Sequence, residues 1–405
     1  MDESPRRGFS RLWWAHSVSQ FGDQLTLVAL PLAAYADTHS AVAVGVVASL
    51  EAVTAVAFGL VAGALADRLA HRRVLILTDV ARALLLVALV AALAAPGGDL
   101  AALLVAATGL GITRVLHDAA ESAAVPLVVD DARLVAANGR LQASEAAATA
   151  AGPAVAGALL GLGGPPLAFA ADAVSFAASG GALTGLRSLD DAAAPEPGAA
   201  EAAAVITTVR ADVAEGVRCL LADRPMVRVL VLLAAVNVVS VCVEAQFVPY
   251  AREVLDIGGF GIGAYFALGG VAAVVTSLLA GRAAAARGDA IVLGLVVFST
   301  GVLLAGLAPS YLTAGLAYLG AGVGSALAAT HAAALRQSRF PVRLQGRVSM
   351  AVRAAIVAVL PVPLIAGGWL ADAAGPEALF ITTAGLGLVA AAWGLLRHVP
   401  AVRGA

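Results

Sequence analysis

The chain has 405 residues, of which 60% are apolar and 13% charged, and its formal net charge is -2. A soluble domain carries about 25% charged residues, so this composition excludes a water-soluble globule, and the near-neutral balance offers nothing to a nucleic acid. All 25 basic residues are arginine, and the useful signal is where they fall along the chain.

Six apolar stretches come first, at approximately Leu12–Ala36, Ala41–Ala66, Val74–Ala95, Leu100–Val125, Leu141–Leu162 and Pro166–Leu186. Each is long enough for one crossing of the hydrocarbon core, which takes about 20 residues. The first is too long for a signal-peptide core and lacks a cleavage pattern, so it is read as a retained helix. A polar interval follows. Its Ala-, Pro- and Glu-rich part, Asp190–Ala204, cannot build a core and reads as a flexible linker. Ile206, Val209, Val213, Val217 and Leu220 then recur at helical spacing among Arg210, Glu215 and Arg218. This piece is expected either to lie on the inner membrane surface or to pack under the bundle. Six more apolar stretches complete the chain, at approximately Val227–Tyr250, Phe260–Ala280, Ala290–Ala308, Tyr311–Leu335, Val348–Ala371 and Ala378–Leu396.

The stretches lack the alternation of barrel strands, and only helices or closed barrels satisfy their backbone in lipid. The expected fold is therefore an all-α integral membrane protein of twelve transmembrane helices. Residues 1–187 form one six-helix bundle, 188–225 a cytoplasmic linker with an amphipathic helix, and 226–405 a second bundle. Placing the N-terminus inside puts Arg6, Arg7, Arg11, Arg68, Arg72, Arg73, Arg133, Arg140, Arg282, Arg287, Arg336, Arg339, Arg343, Arg347 and Arg397 in inner segments. Only Arg252 falls in an outer loop, so the positive-inside bias predicts two cytoplasmic termini. Cys219, in the polar interval, and Cys242, within an apolar run, fall in different environments and are not expected to pair.

The two halves echo each other. Gly139-Arg140 opens the fifth stretch and Gly346-Arg347 the eleventh, Pro153-xxx-Gly157 recurs as Pro363-xxx-Gly367, and Leu65-Ala66-Asp67-Arg68 has a worn counterpart in Leu279-Ala280-Gly281-Arg282. The order is that of two pseudo-symmetric six-helix bundles related as parallel repeats, an architecture in which transporters rock around a central site.

Ionisable groups interrupt the apolar stretches at Asp23, Glu51, Arg114, His117, Asp118, Glu121, Glu145, Asp172, Glu244, His331 and Arg353. A charge at a helix centre costs about 2.5–3.5 kcal/mol on insertion scales, so these groups must face inward, pair or be neutral. Arg114, His117, Asp118 and Glu121 stand at i, i+3, i+4 and i+7, on one helical face. Arg114 is within reach of Asp118, and His117 of Glu121. Such a set can take and release a proton, or it can simply lock helix packing. Glu244, beside Gln246, suits gating or cation contact as well as proton carriage. His331 and Arg353 are candidates to line a cavity from the second half. The His117, Asp118 and Glu121 group also raises an intramembrane enzyme, with or without a metal. There is no HExxH spacing, nucleophile elbow or phosphate-binding glycine loop, so the chain is read as a non-enzyme without metal or cofactor.

Gly63-Ala64-Leu65-Ala66-Asp67-Arg68-Leu69-Ala70-His71-Arg72-Arg73 resembles the loop signature of the major facilitator superfamily. The resemblance implies a cytoplasmic latch made by Gly63, Asp67, Arg68, Arg72 and Arg73, with Asp67 facing a helix N-terminus. More of the chain is similar to the enterobactin-exporter-like branch, also called transmembrane secretion effectors. The matching pieces are Phe21-Gly22-Asp23, Thr38-His39-Ser40-Ala41-Val42-Ala43-Val44-Gly45, Ala137-Asn138-Gly139, Asp172-Ala173-Val174-Ser175-Phe176, Pro249-Tyr250-Ala251-Arg252-Glu253-Val254-Leu255 and Gly346-Arg347-Val348. Gly152-Pro153-Ala154-Val155-Ala156-Gly157 is similar to the exporters' fifth-helix motif, whose small residues allow close packing. Ala148 stands where that motif usually begins with Gly, and Gly281 stands where a second-half Asp would be.

The resemblance implies a plasma-membrane secondary transporter, and proton-coupled efflux of an amphipathic drug, siderophore or other secondary metabolite is the expected activity. It puts Asp23 in a cavity-lining helix as first choice for proton coupling, and Asp172 in a peripheral helix with a packing role. Lipid or lysolipid movement is the alternative. The expected partners are a small-molecule substrate, protons and the bilayer, with the chain acting as a monomer.

Overall fold

The computed structural model describes residues 5–66, 70–95, 99–130, 133–186, 214–280 and 288–397. Helices account for nearly all of them, and no strand occurs among the described residues. The latch residues Asp67 and Arg68, and the linker from 187 to 213, lie outside this set.

The first helices are α1 (Pro5–Thr38), α2 (Ala41–Ala66), α3 (His71–Leu93) and α4 (Asp99–Val128). The helical segment Leu134–Thr184 then bends at Gly163 and Gly164 into two arms, α5 (134–162) and α6 (165–184). Gly164 adopts φ 67°, a left-handed conformation open to a residue without Cβ, and Pro165 and Pro166 restart the chain as a first helical turn. A short helix, α7 (214–222), leads into α8 (Arg224–Glu253), α9 (Gly259–Ala280), α10 (Gly288–Leu307) and α11 (Tyr311–Arg339). The eleventh apolar stretch, expected as one helix, is two pieces, α12 (Val342–Val359) and α13 (Pro361–Ala374). Pro361 and Pro363 lack the N–H that an unbroken ladder needs. Gly375 at φ 88° turns the chain into α14 (Pro376–Leu396).

Nine helices among the described residues are long and apolar enough to cross a membrane. One of these is the bent segment that contains α5 and α6, while α1 and α2 add 34 and 26 residues of helix. Large apolar side chains stand on the outside, among them Leu77, Leu84, Val87, Leu162, Val174, Leu278, Leu293 and Val389. In water such a surface would aggregate; in acyl chains it is the matching solvent.

The chain separates into two compact units, one of residues 1–38 and 50–209, the other of 39–49 and 210–405. In the first, Leu12, Leu75, Ala120, Ala124, Leu141 and Leu183 form an apolar cluster. Beside it Trp13 Nε1 donates to Ser144 Oγ at 2.8 Å, joining α1 to α5. Gly152 sits where a Cβ would strike the Gln24 side chain, so the small residues of the fifth-helix motif do allow α1 and α5 to close up. The carbonyl end of α6 is capped by cations, Arg11 donating to Gly185 O and Arg72 to Leu183 O and Thr184 O, the sign that a helix C-terminus favours.

In the second unit Val229, Leu232, Leu295, Leu335 and Val348 form the corresponding cluster. Asp223 caps α8 by accepting from Met226 N at 2.9 Å and pairs with Arg339 Nε at 2.9 Å. Helix α7 packs against α12: Leu220 is buried, Gly216 abuts the Arg347 carbonyl, and Arg347 pairs with Glu215. The first turn of α2, which clusters with this unit, is capped from α13. Asp372 accepts from Ser40 Oγ at 2.7 Å, Ala41 N at 2.5 Å and Val42 N at 3.1 Å.

Candidate functional site

The first unit has a charged interior. Helix α3 brings in Asp79 and Arg82, three residues apart and hence on one face. Asp79 is 0% and Arg82 2% exposed. Asp79 interacts with Ser179 of α6, while Arg82 Nε and one Nη donate no hydrogen bond. The guanidinium lies 5.1 Å from the ring centroid of Phe176 on α6, a cation–π contact that partly replaces lost hydration.

Helix α4 supplies the one-faced set found in the sequence, but with partners on neighbouring helices. His117 is buried, its Nδ1 3.0 Å from Thr78 Oγ1 and 3.3 Å from Asp79 Oδ1. Glu121 meets His16 of α1, with Nδ1 2.9 Å from one carboxylate oxygen and 3.0 Å from the other. The His117–Glu121 contact expected within the helix gives way because α1 and α3 flank that face and offer closer partners. Arg114 and Asp118 are half-buried and act on each other electrostatically.

Asp172 on α6 is 0% exposed, accepting from Thr26 Oγ1 at 2.5 Å and Ser175 Oγ at 3.0 Å. Gly22 makes this possible, since a Cβ there would collide with Asp172 and Ser175. Asp23, next in sequence, is half-buried near the middle of α1, and its charge acts on Asp79, Asp118 and Asp172. Asp172, expected to have a packing role, is bonded to α1 through Thr26 and lies within the electrostatic reach of Asp23.

The other expected residues are scattered. Glu51 and Gly63 lie on α2, where side-chain surroundings fall outside the described residues. Glu145 is exposed on α5 and accepts from Gln142 at 3.1 Å, and Arg73 is exposed at the start of α3. In the second unit, Glu244 accepts from Ser240 Oγ at 2.8 Å, while the buried Gln246 donates to Ala41 O at 2.9 Å. His331 is buried on α11, and Arg353 is exposed on α12. No group of three or more His, Cys, Asp or Glu side chains able to hold a metal ion occurs among the described residues.

Sequence reasoning passed over His16, Asp79 and Arg82. The signal was present: each interrupts an apolar stretch, but near its N-terminal end, where a charged residue reads as part of the flanking arginine cluster.

The family model described as Major Facilitator Superfamily matches residues 12–362. The chain belongs to the Major Facilitator Superfamily. Solved structures of similar fold include a peptide transporter POT in complex with sulfate (16% identity, TM-score 0.73, covering 96% of this chain and 94% of that one). A bacterial homologue of the iron transporter ferroportin in an inward-facing state matches at 16% identity and TM-score 0.72 over 97% and 99% of the two chains. A bacterial homolog of the human lysosomal transporter Spinster, inward-facing and unoccupied, matches at 14% identity and TM-score 0.72 over 98% and 97%. No curated protein matches the chain. The protein is a multi-pass membrane transporter acting on small molecules, and not an enzyme.

Proposed function

We propose that this transporter is a proton-coupled exporter of amphipathic small molecules in the enterobactin-exporter-like branch, placed in the plasma membrane with both termini cytoplasmic. The observation that carries this reading is Asp23, a half-buried carboxyl near mid-helix within electrostatic reach of three further carboxyls. An ionisable group inside a transmembrane helix is costly and marks a proton or ion pathway, and this set can hold a proton in one state and release it in another. The branch pieces from Phe21-Gly22-Asp23 to Gly346-Arg347-Val348 support export, with residues 1–187 and 226–405 as the alternating bundles and Gly63, Asp67, Arg68, Arg72 and Arg73 as the inner latch. In proteoliposomes with an imposed pH gradient, wild type is expected to accumulate ethidium or a rhodamine dye. Asp23→Asn is expected to bind the dye yet lose the gradient-driven accumulation. Equal coupling in the two proteins removes Asp23 from the mechanism.

A further inference from the structure

The buried groups of the first unit are arranged in sequence along the bundle, and the coupling proposed above does not use most of them. On α1, His16 is 11 residues from the helix start, about 16 Å along the axis. Asp79 is eight residues into α3, about 12 Å. On α4, which runs the opposite way, Glu121, His117 and Arg114 lie 7, 11 and 14 residues from the closing end, Val128. Their contacts join neighbours in that order: His16 with Glu121 at 2.9 Å, and His117 with Asp79 at 3.3 Å. Glu121 and His117 are one turn apart on one face, about 5–6 Å between Cβ atoms. Asp23 lies near enough to act on Asp79.

We propose that protons reach Asp23 from the inner end of the first unit along this ladder, from His16 and Glu121 to His117, then Asp79, then Asp23. This inference rests on the proton-coupled reading. Each step conserves charge. Glu121 and His117 do not touch in this arrangement, and a side-chain rotation across their one-turn gap lets Glu121 give its proton to the imidazole, making a carboxylate and an imidazolium; the imidazolium's Nδ1 proton then passes to the ionised Asp79 oxygen 3.3 Å away, leaving neutral imidazole and a carboxylic acid. The carboxylic acid then hands that proton to ionised Asp23. Two observations favour transfer over static packing. Asp79 keeps a contact to His117 Nδ1 at 3.3 Å, and Arg82 beside it keeps two donors unused. A pair retained for stability alone would satisfy these atoms, because a buried polar group left unpaired costs about 1–3 kcal/mol. The charged and titratable groups facing Asp79 are Asp23 on α1, Arg82 on α3, and His117 and Glu121 on α4, with Ser179 of α6 nearby. His117 feels His16, Arg82 and Arg114, and His16 feels Glu145 of α5 as well as Glu121. Arg82 also acts on Asp118 and Asp172, which sets Arg82 as the fixed countercharge at the top of the ladder.

The test follows protonated-carboxyl infrared bands after a pH jump, on the full chain in lipid nanodiscs. The band lost in Asp23→Asn marks Asp23. Asp79→Asn, which keeps the side-chain shape, is expected to preserve that band's amplitude while slowing its appearance about a hundredfold. His117→Gln leaves every carboxyl in place and is expected to slow it similarly, so it carries the test if Asp79→Asn does not fold. An Asp23 band whose rate ignores both substitutions overturns the ladder alone. A wild type without any Asp23 band overturns the ladder and the proposed coupling together.

Discussion

The two units meet the same membrane with opposite interiors. In the first, Asp79, Arg82, His117, Glu121 and Asp172 are buried on three helices. The second encloses Phe247, Tyr265, Phe266 and Tyr318, with ring centroids 4.4–6.1 Å apart in mostly tilted or edge-on pairs, while Tyr250 stacks near Phe380 at 4.6 Å. Its α10 and α11 approach through Gly294 and Gly324, each of whose Cβ positions would strike the other's backbone. Aromatic pairs and glycine crossings need no solvent and no proton. Buried ion groups bring a desolvation cost that a scaffold avoids, and the coupling proposed for the first unit would give that cost a purpose.

The comparison can be broken most forcefully at Arg82. Arg82→Met withdraws the countercharge from Asp79, Asp118 and Asp172 and is expected to cost about 3–5 kcal/mol, read as a lower thermal unfolding midpoint in detergent. Adding Asp79→Asn to it is expected to recover part of the loss. A single variant as stable as wild type means the first interior is not one coupled network. In the second unit the equivalent weak point is steric. Gly322→Val forces a Cβ against the Gly269 carbonyl and Ala272 and is expected to cost about 1–3 kcal/mol, with no rescue from any charge substitution in the first unit. Smallest is the cap on α2. Asp372→Ala removes the acceptor for Ala41 N and Val42 N and is expected to cost about 1 kcal/mol, with Asp372→Asn recovering most of it.

Much of this was legible in order along the chain. Runs of about 20 apolar residues specify helices because lipid offers no partner to an unpaired backbone, and Gly163-Gly164-Pro165-Pro166 marks the bend between α5 and α6. The spacing of Arg114, His117, Asp118 and Glu121 already placed them on one face. Other features were not legible. His16 and Asp79 bracket that face from helices far away in sequence, and Asp372 reaches Ser40 across 332 positions.

Hydropathy and helical period are properties of neighbours in the chain, so sequence alone determined that the protein is a helical membrane protein and which residues share a helical face. The choice of partner for each buried charge is made by distance in space, and it was decided only when α1, α3, α4 and α6 packed together. Packing replaced an expected His117–Glu121 contact by His117–Asp79 and His16–Glu121, because a side chain taken from water binds whichever complementary group the tertiary fold brings nearest.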